Sequence, residues 1–256
     1  MPAQIHQFMC LQDNFGVLIH DPATGATASM DAPEAGPVLA ALAETGWTLT
    51  DILVTHHHND HIGGIPGVRE KFPSARIVAP EKDRARIPGA DTYVSENENI
   101  KVGNLTARVI ETPGHTTGHI VYFFEEDHLL VAGDTLFALG CGRAFEAPPA
   151  VLHASLQKLA ALPLDTKIYC GHEYTLSNAK FSLTVDPANE ALRERFAEIE
   201  SLRAANLPTL PTTLALELKT NPFLRASDSA IQKQLAMSGA DPAAVFTELR
   251  ELKNKA

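Results

Sequence analysis

Thr55-His56-His57-His58-Asn59-Asp60-His61 sets four histidines and a carboxylate in seven residues, directly behind the apolar run Ile52-Leu53-Val54. Imidazole and carboxylate together suit zinc, iron or manganese, and such a cluster is costly to hold together without a cation. A tag remnant would sit at a terminus and would not alternate as His-x-His-x-Asp-His behind a strand-like segment. Alternation carries a geometric meaning. In extended chain His56 and His58 project to one side while His57 projects to the other. Asp60 and His61 then fall where the chain turns, and Gly63-Gly64 permit close backbone approach.

The pattern recurs along the chain. Ala107-Arg108-Val109-Ile110 leads into Thr112-Pro113-Gly114-His115, Leu129-Leu130-Val131-Ala132 into Gly133-Asp134, and Lys167-Ile168-Tyr169-Cys170 into Gly171-His172. Each is a β-rich run, then Gly, then a metal-competent residue, so each strand hands one donor to the same sheet edge. Seven candidate ligands result: His56, His58, Asp60, His61, His115, Asp134 and His172. Seven exceed one tetrahedral site. They divide into His56, His58 and His115 at one cation and Asp60, His61 and His172 at another, with Asp134 as the bridging carboxylate. Two cations roughly 3.5–4 Å apart would share a water and lower its pKa toward neutrality, which is hydrolase chemistry. Asp60 and Asp134 are therefore the candidate catalytic carboxylates. The donors accept zinc first, with iron or manganese according to supply.

With the later Gly114-His115-Thr116-Thr117-Gly118-His119, Gly133-Asp134-Thr135 and Gly171-His172-Glu173-Tyr174, the motif resembles the metallo-β-lactamase superfamily. Within it the chain is most similar to glyoxalase II, the hydroxyacylglutathione hydrolases, over nearly its whole length. Met30-Asp31-Ala32-Pro33-Glu34-Ala35, Gly140-Cys141-Gly142-Arg143 and Thr220-Asn221-Pro222-Phe223-Leu224-Arg225 carry that finer likeness. The metal motif identifies the superfamily; the C-terminal half identifies the family. The resemblance implies an α+β fold, a four-layer αββα sandwich over residues 1–173 followed by an all-helical substrate-binding region over 174–256. It implies hydrolysis of S-D-lactoylglutathione to glutathione and D-lactate, the second step of methylglyoxal detoxification. It also implies that Arg143, Tyr174, Arg250 and Lys253 contact glutathione, the last two engaging its glycine carboxylate. Phe145 stands where the family often has a tyrosine.

A β-lactamase or lactonase would share fold and chemistry but leave the helical tail and its basic pair without a purpose. A glutathione persulfide dioxygenase would share the histidine motif with a single iron. A non-enzymatic metal-binding protein is the remaining alternative. Forty-five per cent hydrophobic and 20 % charged residues are ordinary for a globular chain of 256 residues. A net charge of −10 without a basic run argues against a nucleic-acid partner. No apolar stretch has the length to cross a membrane, and Met1-Pro2-Ala3-Gln4-Ile5-His6 lacks a signal-peptide pattern. Three cysteines, Cys10, Cys141 and Cys170, show no C-x-x-C spacing and read as reduced, buried or semi-buried thiols. A cytoplasmic, monomeric enzyme is the expectation.

Period-2 and β-rich runs predict strands at 4–9, 15–19, 27–31, 50–55, 76–79, 105–111, 120–124, 129–132 and 168–170. Helices are predicted at 35–44 and 150–161. A further helix is predicted from an Asp186-Pro187 cap to about Ala205, with two more at 228–237 and 242–253. Asp31 is expected to orient a ligand histidine, His57 to make a hydrogen bond behind the ligands or a structural one, and His119 to be structural.

Overall fold

The computed structural model describes residues 1–256, which form two compact units. The first comprises Met1–Thr112 and Thr116–Gly133; the second comprises Pro113–His115 and Asp134–Ala256.

The first unit contains β1 (Gln4–Cys10), β2 (Asn14–His20), β3 (Thr27–Met30), α1 (Ala35–Thr45), β4 (Asp51–Leu53), α2 (Asn59–Ile62), α3 (Ile65–Lys71), β5 (Arg76–Pro80), β6 (Thr92–Val94), β7 (Asn99–Val102), β8 (Leu105–Glu111), β9 (Ile120–Phe124) and β10 (Leu129–Gly133). Strands β1 to β6 lie in chain order in one sheet, antiparallel from β1 to β3 and parallel from β3 to β6. Parallel neighbours need a crossover, and α1 and α3 supply two of them. Val38, Ala41 and Leu42 of α1 and Val68 of α3 bury against Leu18, Ile52, Val54, Ile77 and Ala79 of the sheet. Each valine, leucine or isoleucine among them stabilises the unit by about 1.5–3 kcal/mol. Strands β10, β9, β8 and β7 are successive antiparallel neighbours in a second sheet. Every residue of β9 is buried, as a strand covered on both faces must be.

Parallel register decides what stands beside the histidine motif. Ser29 pairs with Ile52 and Met30 with Leu53. The residue that follows β3, Asp31, is therefore level with the segment that follows β4. β4 ends at Leu53, short of the expected Thr55. From Thr55 the backbone leaves the ladder, because its N–H donates to the Asp31 carboxylate at 2.7 Å. The buried Tyr122 hydroxyl donates to the Val54 carbonyl at 2.9 Å and braces the same stretch. The expected close approach at the glycine pair is present: a Cβ on Gly64 would lie 2.6 Å from the Ala35 nitrogen.

The second unit contains β11 (Leu136–Phe137), β12 (Gly140–Cys141), α4 (Pro149–Ala160), β13 (Lys167–Cys170), α5 (Thr175–Val185), α6 (Glu190–Ala204), β14 (Thr212–Thr213), α7 (Leu214–Thr220), α8 (Ser229–Gln234) and α9 (Pro242–Lys255). The helix expected to open at Asp186-Pro187 opens at Glu190. Its cap is Asn189, whose side chain accepts from the Leu192 N–H at 3.1 Å. Asp186 instead ends α5 and pairs with Arg225. The apolar face of α6, Leu192, Phe196 and Ile199, packs with Leu139, Leu176, Ala179 and Leu183. Arg195, on another face of α6, is buried against Glu217, Thr212 and Thr220. No helix is long and apolar enough to cross a membrane.

Candidate metal centre

In the first unit His56, His58, Asp60 and His61 gather at the ends of β3 and β4. The His56 and His61 ring centroids are 4.1 Å apart, and His56 Nε2 lies 3.1 Å from His58 Nδ1. His61 Nε2 is 3.7 Å from Asp60 Oδ2. Asn14 Nδ2 donates to both the carbonyl and the Oδ2 of Asp60, at 3.0 and 3.1 Å.

Proton placement follows from acceptors. His61 Nδ1 stands 2.7 Å from Asp31 Oδ2, which can only accept, so the proton sits on Nδ1 and the lone pair on Nε2. The Thr55 hydroxyl spends its proton on Asp31 Oδ2 at 2.9 Å. It therefore accepts from His56 Nδ1 at 3.0 Å, which leaves Nε2 of His56 as the donor atom. One buried carboxylate thus fixes two imidazoles, His61 directly and His56 through Thr55. Asp31 sits at φ 56°, a conformation that Asp and Asn tolerate better than most residues. His57 faces elsewhere, its Nδ1 3.2 Å from Asp83 Oδ2. His119 Nδ1 pairs with Thr112 Oγ1 at 3.0 Å, and its ring stacks on His56 with centroids 4.8 Å apart.

In the second unit Asp134 Oδ2 faces two imidazole nitrogens, His172 Nε2 at 3.3 Å and His115 Nε2 at 3.5 Å. His115 Nδ1 donates to the Arg143 carbonyl at 2.9 Å, which again leaves Nε2 with its lone pair. All three side chains are buried. The donor set fits cations. Two nitrogens held about 2.0–2.1 Å from a tetrahedral zinc stand roughly 3.3–3.4 Å apart, close to the 3.1 Å between His56 and His58. Nitrogen and carboxylate oxygen without thiolate also suit iron or manganese. Cys141 and Cys170 are buried free thiols, which burial pushes up to about 11 and about 12.

Residues 11–172 match the model of the metallo-β-lactamase superfamily, and residues 173–256 match that of the hydroxyacylglutathione hydrolase C-terminus. A hydroxyacylglutathione hydrolase of Rhodopseudomonas palustris (strain BisA53) is 56% identical over 255 residues, covering 100% of both chains. The one of Mesorhizobium japonicum is 56% identical over 254 residues, with 99% of each covered. This chain belongs to the hydroxyacylglutathione hydrolase family. Its fold is the α+β sandwich of the metallo-β-lactamase domain with a helical C-terminal region. Among solved structures, ETHE1 from Myxococcus xanthus matches with a TM-score of 0.69 at 25% identity, covering 97% of this chain and 90% of that one.

The four residues expected to meet the substrate all lie in the second unit. Arg143 is exposed, its guanidinium 5.0 Å from the centre of the exposed Phe145 ring. Tyr174 stacks on His172 at 4.7 Å, 4° from parallel. The half-buried Lys253 donates to the carbonyl and hydroxyl of Ser177 at 3.1 and 2.8 Å. Burial, then the neighbouring Arg250, lowers its pKa below the usual lysine value. Arg250 differs from the other three. It is buried, with Nη1 2.8 Å from the Cys141 carbonyl and 3.4 Å from that of Gly142, and its guanidinium lies over Phe223.

Those contacts belong to a larger arrangement absent from the sequence reading. The carbonyls of Phe137 and Gly140 accept from Asn221, that of Ala138 from Asn178, and that of Leu139 from Ser182. Arg250 takes the next two, and His115 takes that of Arg143. Glu217 accepts the Leu139 N–H at 2.8 Å. A two-residue hairpin strand cannot satisfy its backbone by itself, so side chains of α5, α7 and α9 and of the residue following α7 do so. Gly140-Cys141-Gly142-Arg143 and Asn221 of Thr220-Asn221-Pro222-Phe223 were the legible traces of this strap, residues 137–143, in the sequence.

Proposed function

We propose that this chain hydrolyses S-(2-hydroxyacyl)glutathione thioesters, S-D-lactoylglutathione foremost, releasing glutathione and a 2-hydroxy acid such as D-lactate. That is the second step of methylglyoxal detoxification. The observation that carries the reading is full-length likeness, at 56% identity, to relatives named hydroxyacylglutathione hydrolase. The proposed centre holds two divalent cations, zinc first. His56, His58 and His115 hold one and Asp60, His61 and His172 the other, with Asp134 bridging. In support, His56 Nε2 lies 3.1 Å from His58 Nδ1 and His61 Nε2 lies 3.7 Å from Asp60 Oδ2 in the first unit, while Asp134 Oδ2 faces His115 and His172 in the second. When bound, such a pair supplies an activated water and Lewis-acid stabilisation of a thioester oxyanion.

The chain's own residues do the rest. Asp31 and the Arg143 carbonyl hold the imidazoles of His61 and His115 in the tautomer that offers Nε2. Asp60 and Asp134 are the catalytic carboxylates of this reading, and Asn14 fixes the first of them. Arg143, Tyr174 and Lys253 are proposed to hold the tripeptide, with residues 1–173 as the catalytic module and 174–256 as the substrate-binding one. The leaving thiol has a pKa of about 8.5, so departure as thiolate needs no dedicated acid. The enzyme is proposed to be a cytoplasmic monomer; the three buried free cysteines agree with a reducing compartment. The test is thiol release from S-D-lactoylglutathione with metal analysis of the same sample. Turnover with about two metal equivalents is expected. Oxygen uptake on glutathione persulfide without thioester hydrolysis would overturn it.

A further inference from the structure

We propose that Asp83, a carboxylate in the single turn after β5, is a positioning residue for the metal centre: with Arg86 it holds His57 outward and so fixes the direction in which His56 and His58 present their nitrogens. This rests on the reading of His56 and His58 as metal ligands given above. Asp83 closes a short 3-10 turn, Glu81–Asp83, and is fully buried. No side chain caps that turn, and the Asp83 carboxylate meets two other side chains instead. Its Oδ2 lies 3.2 Å from His57 Nδ1 and its Oδ1 2.9 Å from Arg86 Nη2. A buried carboxylate is costly unless its partners satisfy it, so this pairing has to serve something. Arg86 Nη1 stands 3.4 Å from His57 Nε2, and a guanidinium can only donate. His57 therefore donates from Nδ1 to Asp83 and accepts at Nε2 from Arg86, with both ring nitrogens held from outside the centre.

The histidine segment needs such a hold. β4 ends at Leu53, so residues 55–58 have no strand ladder to keep their side chains alternating. On one side Asp31 fixes Thr55. On the other, His57 sits in the chain between the two residues whose donors, His56 Nε2 and His58 Nδ1, stand 3.1 Å apart. Successive side chains of an extended segment point to opposite sides, so a turn of His57 about the chain turns both neighbours with it. The anchor itself has no play. A Cβ on Gly118 would stand 2.2 Å from Asp83 Oδ1, so the carboxylate lies directly against that backbone. Arg86 Nη2 donates to Thr117 Oγ1 at 2.8 Å. Thr117 and Gly118 thus back the Asp83–Arg86 pair, the pair backs His57, and His57 sets its two neighbours.

The experiment measures zinc affinity by chelator competition, the visible spectrum of the cobalt-loaded protein, and turnover on a glutathione thioester and on a small thioester lacking the tripeptide. Asp83→Asn is nearly isosteric, but it has one acceptor oxygen and an NH2 that cannot pair with both His57 and Arg86. It is expected to bind one metal equivalent about tenfold more weakly, the lower end of the range for partners behind a ligand. It is also expected to alter the cobalt spectrum and to lose kcat on both thioesters with little change in KM. His57→Ala is expected to show the same loss of affinity. The double variant, Asp83→Asn with His57→Ala, is expected to lose no more than either alone, because residues that act through one another are not additive. Wild-type zinc affinity and cobalt spectrum in a folded Asp83→Asn protein would overturn the proposal, and so would losses that add in the double variant. Should Asp83→Asn fail to fold, Arg86→Met, at a partly exposed position, removes the donor to His57 Nε2 and decides by the same readouts. His56→Ala separates this role from the ligand reading. If it keeps both equivalents at wild-type affinity, the ligand assignment has failed. If it loses one while Asp83→Asn loses none, only the positioning role has failed.

Discussion

Asp31→Asn isolates a single carboxylate oxygen. Wild-type Asp31 accepts three hydrogen bonds: Thr55 N–H on Oδ1 at 2.7 Å, and the Thr55 hydroxyl and His61 Nδ1 on Oδ2 at 2.9 and 2.7 Å. Asparagine is nearly isosteric and tolerates the φ of 56°. It has one acceptor where three donors converge. With its oxygen on the Thr55 N–H, its NH2 faces His61 Nδ1. The imidazole then escapes a donor–donor clash only by moving its proton to Nε2, the nitrogen needed for the metal. Turning the amide over places NH2 against the backbone N–H instead. Either way one charge-assisted bond is lost, about 1.5–3 kcal/mol. That matches the 10–100-fold, or about 1.4–2.8 kcal/mol, typical of removing a partner behind a metal ligand. Metal–chelator competition on Asp31→Asn is expected to show that loss, chiefly at the equivalent held by His61. Thermal unfolding of the metal-free protein provides the control for folding. Wild-type affinity for both equivalents in a folded Asp31→Asn protein would refute the tautomer argument.

Asp134→Ala removes the oxygen that faces both His115 and His172; it is expected to lose second-equivalent occupancy and most activity, and wild-type turnover would defeat the two-cation reading. His57→Gln, on a side chain turned to Asp83, is expected to keep normal metal stoichiometry, with activity reduced by at most about 10–100-fold. Loss of an equivalent would require a new ligand set. Burial raises the Cys10, Cys141 and Cys170 thiols to about 12, 11 and 12, so the thiolate forms only well above pH 8. At pH 8 a thiol of pKa 11 is about one part in a thousand thiolate. Iodoacetamide is expected to leave all three intact in the folded protein and to modify all three after unfolding, read by intact mass. Gly142→Ala is expected to destabilise the second unit or to weaken metal binding, because its Cβ would meet the Asp134 carbonyl at 2.0 Å.

Most of the first unit was legible because its longer strands are β-rich runs, β2, β9 and β10 almost wholly buried; the short β6 and β7 and helix α3 were not. The alternation of His56, His57 and His58 fixed the outward turn of His57 even though the segment lies outside the β4 ladder. The second unit hid more. Helix α5 reads Thr-Leu-Ser-Asn-Ala-Lys-Phe-Ser-Leu-Thr-Val, rich in residues that disfavour helix interiors. Its buried positions include Thr175, Asn178 and Ser182. Asn178 and Ser182 are there to meet the carbonyls of Ala138 and Leu139, a purpose that no periodicity displays. Asp186-Pro187 imitated a helix start because Asp before Pro is a favoured cap, yet the carboxylate serves Arg225. Arg250 and Lys253 share a helix face by spacing alone. Spacing cannot tell that one guanidinium turns inward onto backbone while the neighbouring ammonium reaches Ser177.

The strap also imposes an order of events on a chain made from its N-terminus. His115 and Asp134 emerge early, whereas Asn178, Asn221 and Arg250, which hold the carbonyls beside them, emerge late, the last on the final helix. A nascent chain that lacks α9 has made His115 and its acceptor, the Arg143 carbonyl, but not the arginine that bonds the two carbonyls before it. The hydrogen bonding of the backbone beside His115 and Asp134 is therefore complete only once α9 has been made.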